Sequence, residues 1–335
     1  MHPFVRNLLM DETYLRSVED PAGVAKCFLE HGVVGVTDVL TKAECDETLA
    51  DMGMPPSFDI RNPATYNTPD TNAVLNKFGV VGTDPLFTRS MLRNRCHPKV
   101  ARAYRAVYEA LHGGPVTLLA CHDRAAIMRP TLVPGGAAMD TEYKYPGLHL
   151  DVDPQGFCAA DGGPVRMFLD GLKYRDVHDF VAENNAKHHS MGRQVQGVLN
   201  LVGNREEDGG FQCVPMADCM KWMQSWCRTQ RWTAPPEPNG RYFFSPKSYE
   251  EIGIASTRVP CPAGTLILFD ACLPHGTLPN RSTRPRAIQF LRYIPAHTLS
   301  DPCKAARASA VRRLCREAGF EPPDEDAAEV LFGKP

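Results

Sequence analysis

Three side chains carry the most chemical content in this 335-residue sequence: His149 and Asp151 in Leu148-His149-Leu150-Asp151-Val152-Asp153, and His275 in Leu273-Pro274-His275-Gly276-Thr277. In an extended strand alternate side chains share a face, so His149 and Asp151 are expected to project together. An imidazole nitrogen beside a carboxylate oxygen is most of a metal site. With His275 brought alongside, the set becomes two histidines and one carboxylate, a facial triad that suits Fe(II) and leaves the opposite coordination positions open for oxygen and a co-substrate. The His-x-Asp spacing by itself recurs by chance. The surroundings of the second histidine are more specific.

A strand is expected over Ala263-Gly264-Thr265-Leu266-Ile267-Leu268-Phe269-Asp270. It is followed by Pro274-His275-Gly276-Thr277-Leu278-Pro279-Asn280-Arg281-Ser282, and then by Arg286 at the head of the apolar run Ala287-Ile288-Gln289-Phe290-Leu291. A His-x-Asp, a distant second His and an Arg eleven residues beyond it resemble the Fe(II)/2-oxoglutarate oxygenases. The wording His-Gly-Thr, Pro-Asn-Arg-Ser, Arg is similar to their phytanoyl-CoA dioxygenase-like branch. Gly209-Gly210-Phe211-Gln212-Cys213-Val214-Pro215 adds to the likeness, although the family often continues as Pro-Gly-Ser-His where this chain reads Pro215-Met216-Ala217-Asp218. The matching stretches are 145–155, 196–215 and 262–293.

The resemblance implies Fe(II), 2-oxoglutarate and O2 as cofactors. His149, Asp151 and His275 would hold the iron, Arg286 would meet the far carboxylate of 2-oxoglutarate, and Thr277 would add a hydroxyl hydrogen bond. Arg suits that task because its planar fork binds a carboxylate bidentately and stays charged. Arg284 has the same strand parity and competes for the role; the eleven-residue offset favours Arg286. In Val195-Gln196-Gly197-Val198-Leu199-Asn200-Leu201, alternation puts Gln196, Val198 and Asn200 on one face. If that face is a barrel interior, Gln196 or Asn200 would reach the co-substrate.

The elements that must position these residues are spread over the whole chain. Several short strands in the central and C-terminal portions, with helices before them, predict a mainly β core with flanking helices, an α+β arrangement. The resemblance narrows this to a double-stranded β-helix, or jelly roll. One oxygenase domain over 1–335 is expected, with a mainly helical elaboration over 1–115, the β core over 116–295, and a C-terminal helix and tail over 296–335. Asp20-Pro21 begins a helix that Gly32 stops, Val33–Val36 reads as a buried strand, and Thr41-Lys42-Ala43-Glu44 is a capping box opening a helix to about Met52.

Composition excludes some classes. With 37 basic and 39 acidic residues the net charge is −2, so no global field draws the chain to nucleic acid or to an anionic membrane. Twelve cysteines are scattered without Cys-x-x-Cys, the first residues lack a signal-peptide apolar run, and no stretch approaches a membrane span. Reduced thiols in an intracellular, cytoplasmic setting are expected.

Other segments invite a bland reading beside a functional one. The run Arg89, Arg93, Arg95, Lys99, Arg102 and Arg105 contains no acid and reads as a solvated helix face, or else as an anion site. Pro55 to Thr83 is loop-like: a cleft wall or a surface excursion. Asp123 and Arg124 form a structural ion pair or edge a cleft, and Lys144 and Tyr145 stand where they would reach an acidic co-substrate. His178, His188 and His189 read as surface histidines. Trp222, Trp226 and Trp232 with Met216, Met220 and Met223 read as core packing or an apolar pocket wall. Asp301 to Gly319 is a basic amphipathic helix docking on the barrel, and the acidic tail after Pro322 is expected to fray.

The expected reaction is hydroxylation of a small-molecule or carrier-linked substrate with release of succinate and CO2. By the same resemblance, retention of a carboxylate at Asp151 favours hydroxylation over halogenation and leaves desaturation, ring closure and demethylation open. Two alternatives stand beside it: an oxygenase acting on nucleic acid or protein, motivated by the basic run, and a non-catalytic binding protein that retains the barrel.

Overall fold

The computed structural model describes residues 12–76, 78–130, 147–159, 161–232, 240–278 and 280–334. Its strands, in chain order, are β1 (Leu15–Ser17), β2 (Val33–Thr37), β3 (Leu118–Ala120), β4 (Ala125–Met128), β5 (His149–Leu150), β6 (Val195–Asn200), β7 (Gly210–Cys213), β8 (Tyr242–Phe243), β9 (Thr257–Arg258), β10 (Leu266–Asp270), β11 (His275–Leu278) and β12 (Arg286–Pro295). Among the described residues they form two sheets. The larger runs β1-β2-β10-β6-β12-β3, with β4 also on β12; the smaller runs β8-β5-β11-β7-β9.

The two sheets close on each other as a β-sandwich. Val198, Ile267, Phe269 and Ile288 of the larger sheet share one buried cluster with Leu148, Leu150, Phe211 and Cys213 of the smaller. The opposite parity of the same strands, Leu199, Leu266, Leu268, Ala287 and Leu291, belongs to a second cluster with the helices. Burial on both faces explains why β10 reads as a nearly continuous apolar run, whereas β6 carries the polar Gln196 and Asn200. Strand parity therefore turns Gln196 and Asn200 of β6, and Arg286 of β12, to the sandwich interior.

Local sequence signals set the helices that pack outside. Asp20 caps Pro21–His31 through the amide of Gly23, and Gly32 ends that helix at φ 69°, a conformation glycine adopts without Cβ strain. Thr41 and Glu44 form the reciprocal capping box of Lys42–Ala50. In Pro98–His112 the apolar stripe Val100, Tyr104, Val107 and Tyr108 is buried, and the Tyr104 ring stacks on Tyr293 of β12 with centroids 4.4 Å apart. β2 joins the larger sheet antiparallel to β10, so the segment before residue 115 also supplies sheet.

Two segments differ from expectation. The acidic tail forms a helix, Glu325–Phe332, capped by Asp324 through the amide of Ala327. Val330 and Leu331 are buried, and that apolar pair holds it against fraying. The basic helix Asp301–Glu317 buries one of its arginines: Arg307 is 1 % exposed and pairs with the fully buried Glu183 at 3.0 Å. Its guanidinium also donates to the carbonyls of Ala120 and Leu331, tying four elements together.

Four residues of the basic run are committed inside the molecule. Arg93 pairs with Glu47, and Arg95, fully buried, donates to the carbonyls of Leu86 and Asp123. Lys99 donates to the Asp38 carbonyl and Arg102 pairs with Glu19. The stretch 55–83 is anchored to the sandwich, with Val80 bridged to Ala126 and the Val81 amide donating to the Ala125 carbonyl. Asp123 and Arg124 form the expected ion pair, at 3.2 Å.

Candidate metal centre

His149 and His275 stand directly opposite each other in the antiparallel pairing of β5 with β11. Cross-strand neighbours of this kind bring side chains of one face together without any long-range adjustment. The ring centroids are 4.7 Å apart. Asp151 arrives differently from expectation. β5 ends at Leu150 and Asp151 lies in the bend that follows, because Asp153 accepts a hydrogen bond from the Gly156 amide and the chain turns at once into the helix Pro154–Ala159. The bend carries the carboxylate inward to both rings: Oδ1 is 3.5 Å from His149 Nε2 and Oδ2 is 3.6 Å from His275 Nε2.

Each imidazole is oriented by its own backbone. His149 Nδ1 lies 2.9 Å from the Gly147 carbonyl, and His275 Nδ1 lies 2.9 Å from the Leu273 carbonyl. A carbonyl can only accept, so both Nδ1 atoms carry the proton and both Nε2 lone pairs face the carboxylate. This is the outer-shell arrangement that fixes tautomer and ring plane in metal-binding histidines. One ligand atom from each of His149, Asp151 and His275 can be chosen so that all lie within 4.8 Å of one another. Two neutral imidazole nitrogens and a carboxylate suit Fe(II), and the residues fit that ion. Burial lowers the His275 pKa, with the His149 ring acting the same way and Asp151 opposing it, which favours the neutral ligand form.

Gly276 permits the close approach of the two ligand strands. A Cβ there would stand 2.7 Å from the Gly147 carbonyl oxygen, the same atom that orients His149. The rings of Phe211 and Phe269 pack on His275 with centroids 5.9 and 4.6 Å away, giving the site an apolar wall.

Two cations converge on Asp151. Lys187 Nζ is 3.0 Å from Oδ2 and Arg241 Nε is 2.9 Å from Oδ1. Burial pushes the Asp151 pKa up, yet Lys187, then Arg241, hold it well below the usual carboxylate range. Lys187 also donates to Gln196 Oε1 at 2.9 Å. Neither cation is legible in the sequence: Lys187 lies in a polar segment that reads as surface, and Arg241 is brought in by β8, which pairs with β5 in a register opposing Phe243 to His149.

The remaining expected site residues fall as follows. Arg286 is 2 % exposed, and its guanidinium lies 3.0 Å from Met128 Sδ on the paired strand. Arg284 is engaged elsewhere, with Asp208 at 2.7 Å and Glu207 at 3.0 Å. Thr277 shares the parity of His275 on β11. Asn200 is fully buried and its amide donates to the Thr265 carbonyl at 3.3 Å, within the sheet. Lys144 and Tyr145 lie outside the described residues.

His188 departs from the surface reading: it is buried, and burial, with Lys187 beside it, depresses its pKa to about 4. His178 is exposed as expected, 3.4 Å from Asp84. The tryptophans form a half-buried aromatic cluster with Tyr242 and Phe244 behind β8, the parity opposite to Arg241 and Phe243, and Trp222 and Trp226 pack against the interior cluster. All twelve cysteines are free thiols, and among the described residues no helix is long and apolar enough to cross a membrane.

A family model described as phytanoyl-CoA dioxygenase matches residues 184–288. That span contains Lys187, Gln196, His275 and Arg286 but stops short of His149 and Asp151, which the fold brings to it. A Dictyostelium discoideum protein carrying a provisional phytanoyl-CoA dioxygenase name is 25% identical over 298 residues, covering 86% of this chain and 79% of that protein. Among solved structures, the GlcNAc-inducible protein GIG2 of Candida albicans aligns over 95% of this chain and 75% of its own, at 15% identity and a TM-score of 0.55. The hypothetical protein JW0805 of Escherichia coli aligns over 96% of this chain and 81% of its own, at 14% identity and a TM-score of 0.54. At such identities the two structures speak for the fold alone.

Proposed function

We propose that the chain is an Fe(II)/2-oxoglutarate oxygenase of the phytanoyl-CoA dioxygenase-like branch, and that it hydroxylates a small-molecule or carrier-linked substrate with release of succinate and CO2. The observation that carries this reading is the convergence of His149, Asp151 and His275, with both histidines already held in the ligand tautomer. When bound there, Fe(II) with 2-oxoglutarate and O2 supplies the oxidising chemistry. The protein's part is to bind, orient and exclude.

Each residue has a defined share of that work. His149 and His275 offer Nε2 and Asp151 one carboxylate oxygen. Arg286, at the interior-facing head of β12, takes the far carboxylate of 2-oxoglutarate, and Thr277 adds a hydroxyl donor. The engagement of Arg284 with Asp208 favours Arg286 for this role. Of Gln196 and Asn200 on the same interior face, Asn200 is the amide that bonds the co-substrate, since Gln196 is engaged by Lys187. Phe211 and Phe269 keep water from the His275 side, strengthening every charge interaction inside. Lys187 and Arg241 hold Asp151 ionised before the metal arrives. The whole of 1–335 acts as one oxygenase unit in this reading.

The test is an anaerobic titration of metal-free protein with Fe(II) and then 2-oxoglutarate, following the visible charge-transfer band. A band that disappears in His149→Ala and weakens in Arg286→Ala supports the reading, and substrate screening by oxygen uptake then follows. Iron binding with no band points to a different co-substrate, and failure to bind iron points to a protein that keeps the barrel without turnover.

A further inference from the structure

We propose that the substrate is an organic acid whose carboxylate is held by Lys187, Arg241 and Gln196, with its apolar body against Phe243. The inference rests on the oxygenase reading above and names the substrate class for that site. Its starting point is the clamp around Asp151, in which a cation stands on each carboxylate oxygen, Lys187 at 3.0 Å on one and Arg241 at 2.9 Å on the other. The two cations are thus already spaced to grip a single carboxylate between them.

Metal binding changes what that clamp holds. Once Asp151 gives its charge to a divalent ion, Lys187 and Arg241 lose most of their counter-charge. The Lys187 side chain is only 14% exposed, and a shielded ammonium without a partner is costly. Its other contact, Gln196 Oε1, is neutral. The charge count points the same way. A divalent ion, Lys187 and Arg241 together outweigh Asp151 and the dianion 2-oxoglutarate by one positive charge. An anionic substrate removes that surplus.

Geometry supplies two further arguments. Gln196 Nε2 is a buried donor with no hydrogen-bond partner, adjacent to the Lys187 contact, so once Asp151 is given over to the metal the pocket presents three donors to one incoming acceptor. Arg241 and Phe243 share one face of β8, toward the metal centre. Phe243 is 61 % exposed, with its ring centroid 5.4 Å from that of His149. An exposed aromatic ring beside a half-exposed guanidinium, with an ammonium below, is complementary to a small acid with a planar or apolar body. The acid enters with its carboxylate inward, displacing Asp151 from the cations as Asp151 turns to the metal.

The experiment uses the full chain, metal-free and loaded anaerobically with Fe(II) and 2-oxoglutarate. Binding of phenylacetate, hexanoate, phenyl phosphate and the uncharged phenylacetamide is followed by calorimetry and by the shift of the charge-transfer band. The expected result is that a carboxylate binds the loaded protein and not the metal-free form, in which Asp151 fills the clamp, and that the amide binds at least tenfold more weakly. Lys187→Met and Arg241→Gln each weaken acid binding about tenfold or more, a larger loss than either causes in the affinity for 2-oxoglutarate. Arg241 is 52% exposed, so its variant remains informative if Lys187→Met fails to fold.

Several outcomes overturn the proposal: equal binding of acid and amide, binding by the phosphate alone, or no binding of either carboxylate at millimolar concentration. Loss of 2-oxoglutarate affinity instead of acid affinity in both variants would assign the clamp to the co-substrate. Absence of iron binding or of the band in the unaltered protein is read before any acid is added, so failure of the oxygenase reading is seen separately.

Discussion

His149 and His275 are register partners across β5 and β11, and each donates its Nδ1 proton to the carbonyl two residues before it. One ladder thus sets both the separation and the tautomer of two ligands. Loss of either ring removes a third of the donor set and leaves the sandwich intact. His149→Ala and His275→Ala are each expected to abolish measurable divalent-metal binding with an unchanged far-ultraviolet circular dichroism spectrum. Near-native affinity in either variant would remove that residue from the site.

The Gly276 position gives a subtler test. A Cβ there meets the Gly147 carbonyl oxygen at 2.7 Å, so Gly276→Ala forces that backbone away and frees the His149 ring to rotate. The expected result is a folded protein whose metal affinity falls by about 10–100-fold, the usual cost of losing an outer-shell partner. Calorimetric titration with Mn(II) or Co(II) measures it.

Arg284 and Arg286 separate cleanly because one is engaged at the surface and the other is buried at the head of β12. Arg286→Lys retains charge but loses the fork, and is expected to weaken 2-oxoglutarate by about tenfold or more. Arg284→Ala is expected to leave that affinity unchanged, since it removes only the ion pairs with Asp208 and Glu207. The charge-transfer titration reads both, and an effect confined to Arg284→Ala reverses the assignment.

Stability is predicted to depend on a pair remote from the metal. Glu183 and Arg307 are both buried, and Arg307→Ala strands the carboxylate while emptying the hydrogen bonds to Ala120 and Leu331. A loss of about 3–5 kcal/mol is expected, as for other broken buried ion pairs. Denaturant unfolding gives the value; a change below about 1 kcal/mol would mean that the pair is not a joint of the fold.

The sequence by itself determined the ligand types, the helix boundaries at Asp20, Gly32, Thr41 and Glu44, and the strands β6, β10 and β12. These follow from local rules, because capping needs particular side chains at fixed offsets and a buried strand is rich in apolar residues. Gln196 and Asn200 were also placed on one face, since a strand alternates whatever surrounds it, and the packing of Val198 between the sheets made that face the interior. Only the tertiary structure decided that Asp151 reaches the histidines from a bend, that Arg286 is buried while Arg284 is engaged elsewhere, and that Arg307 is an internal cation and not a surface one. Lys187 and Arg241 were invisible for the same reason. A cation becomes part of a site through the carboxylate it is folded against, and the stretch between Asp151 and Lys187, 36 positions apart, carries no periodicity that announces the encounter.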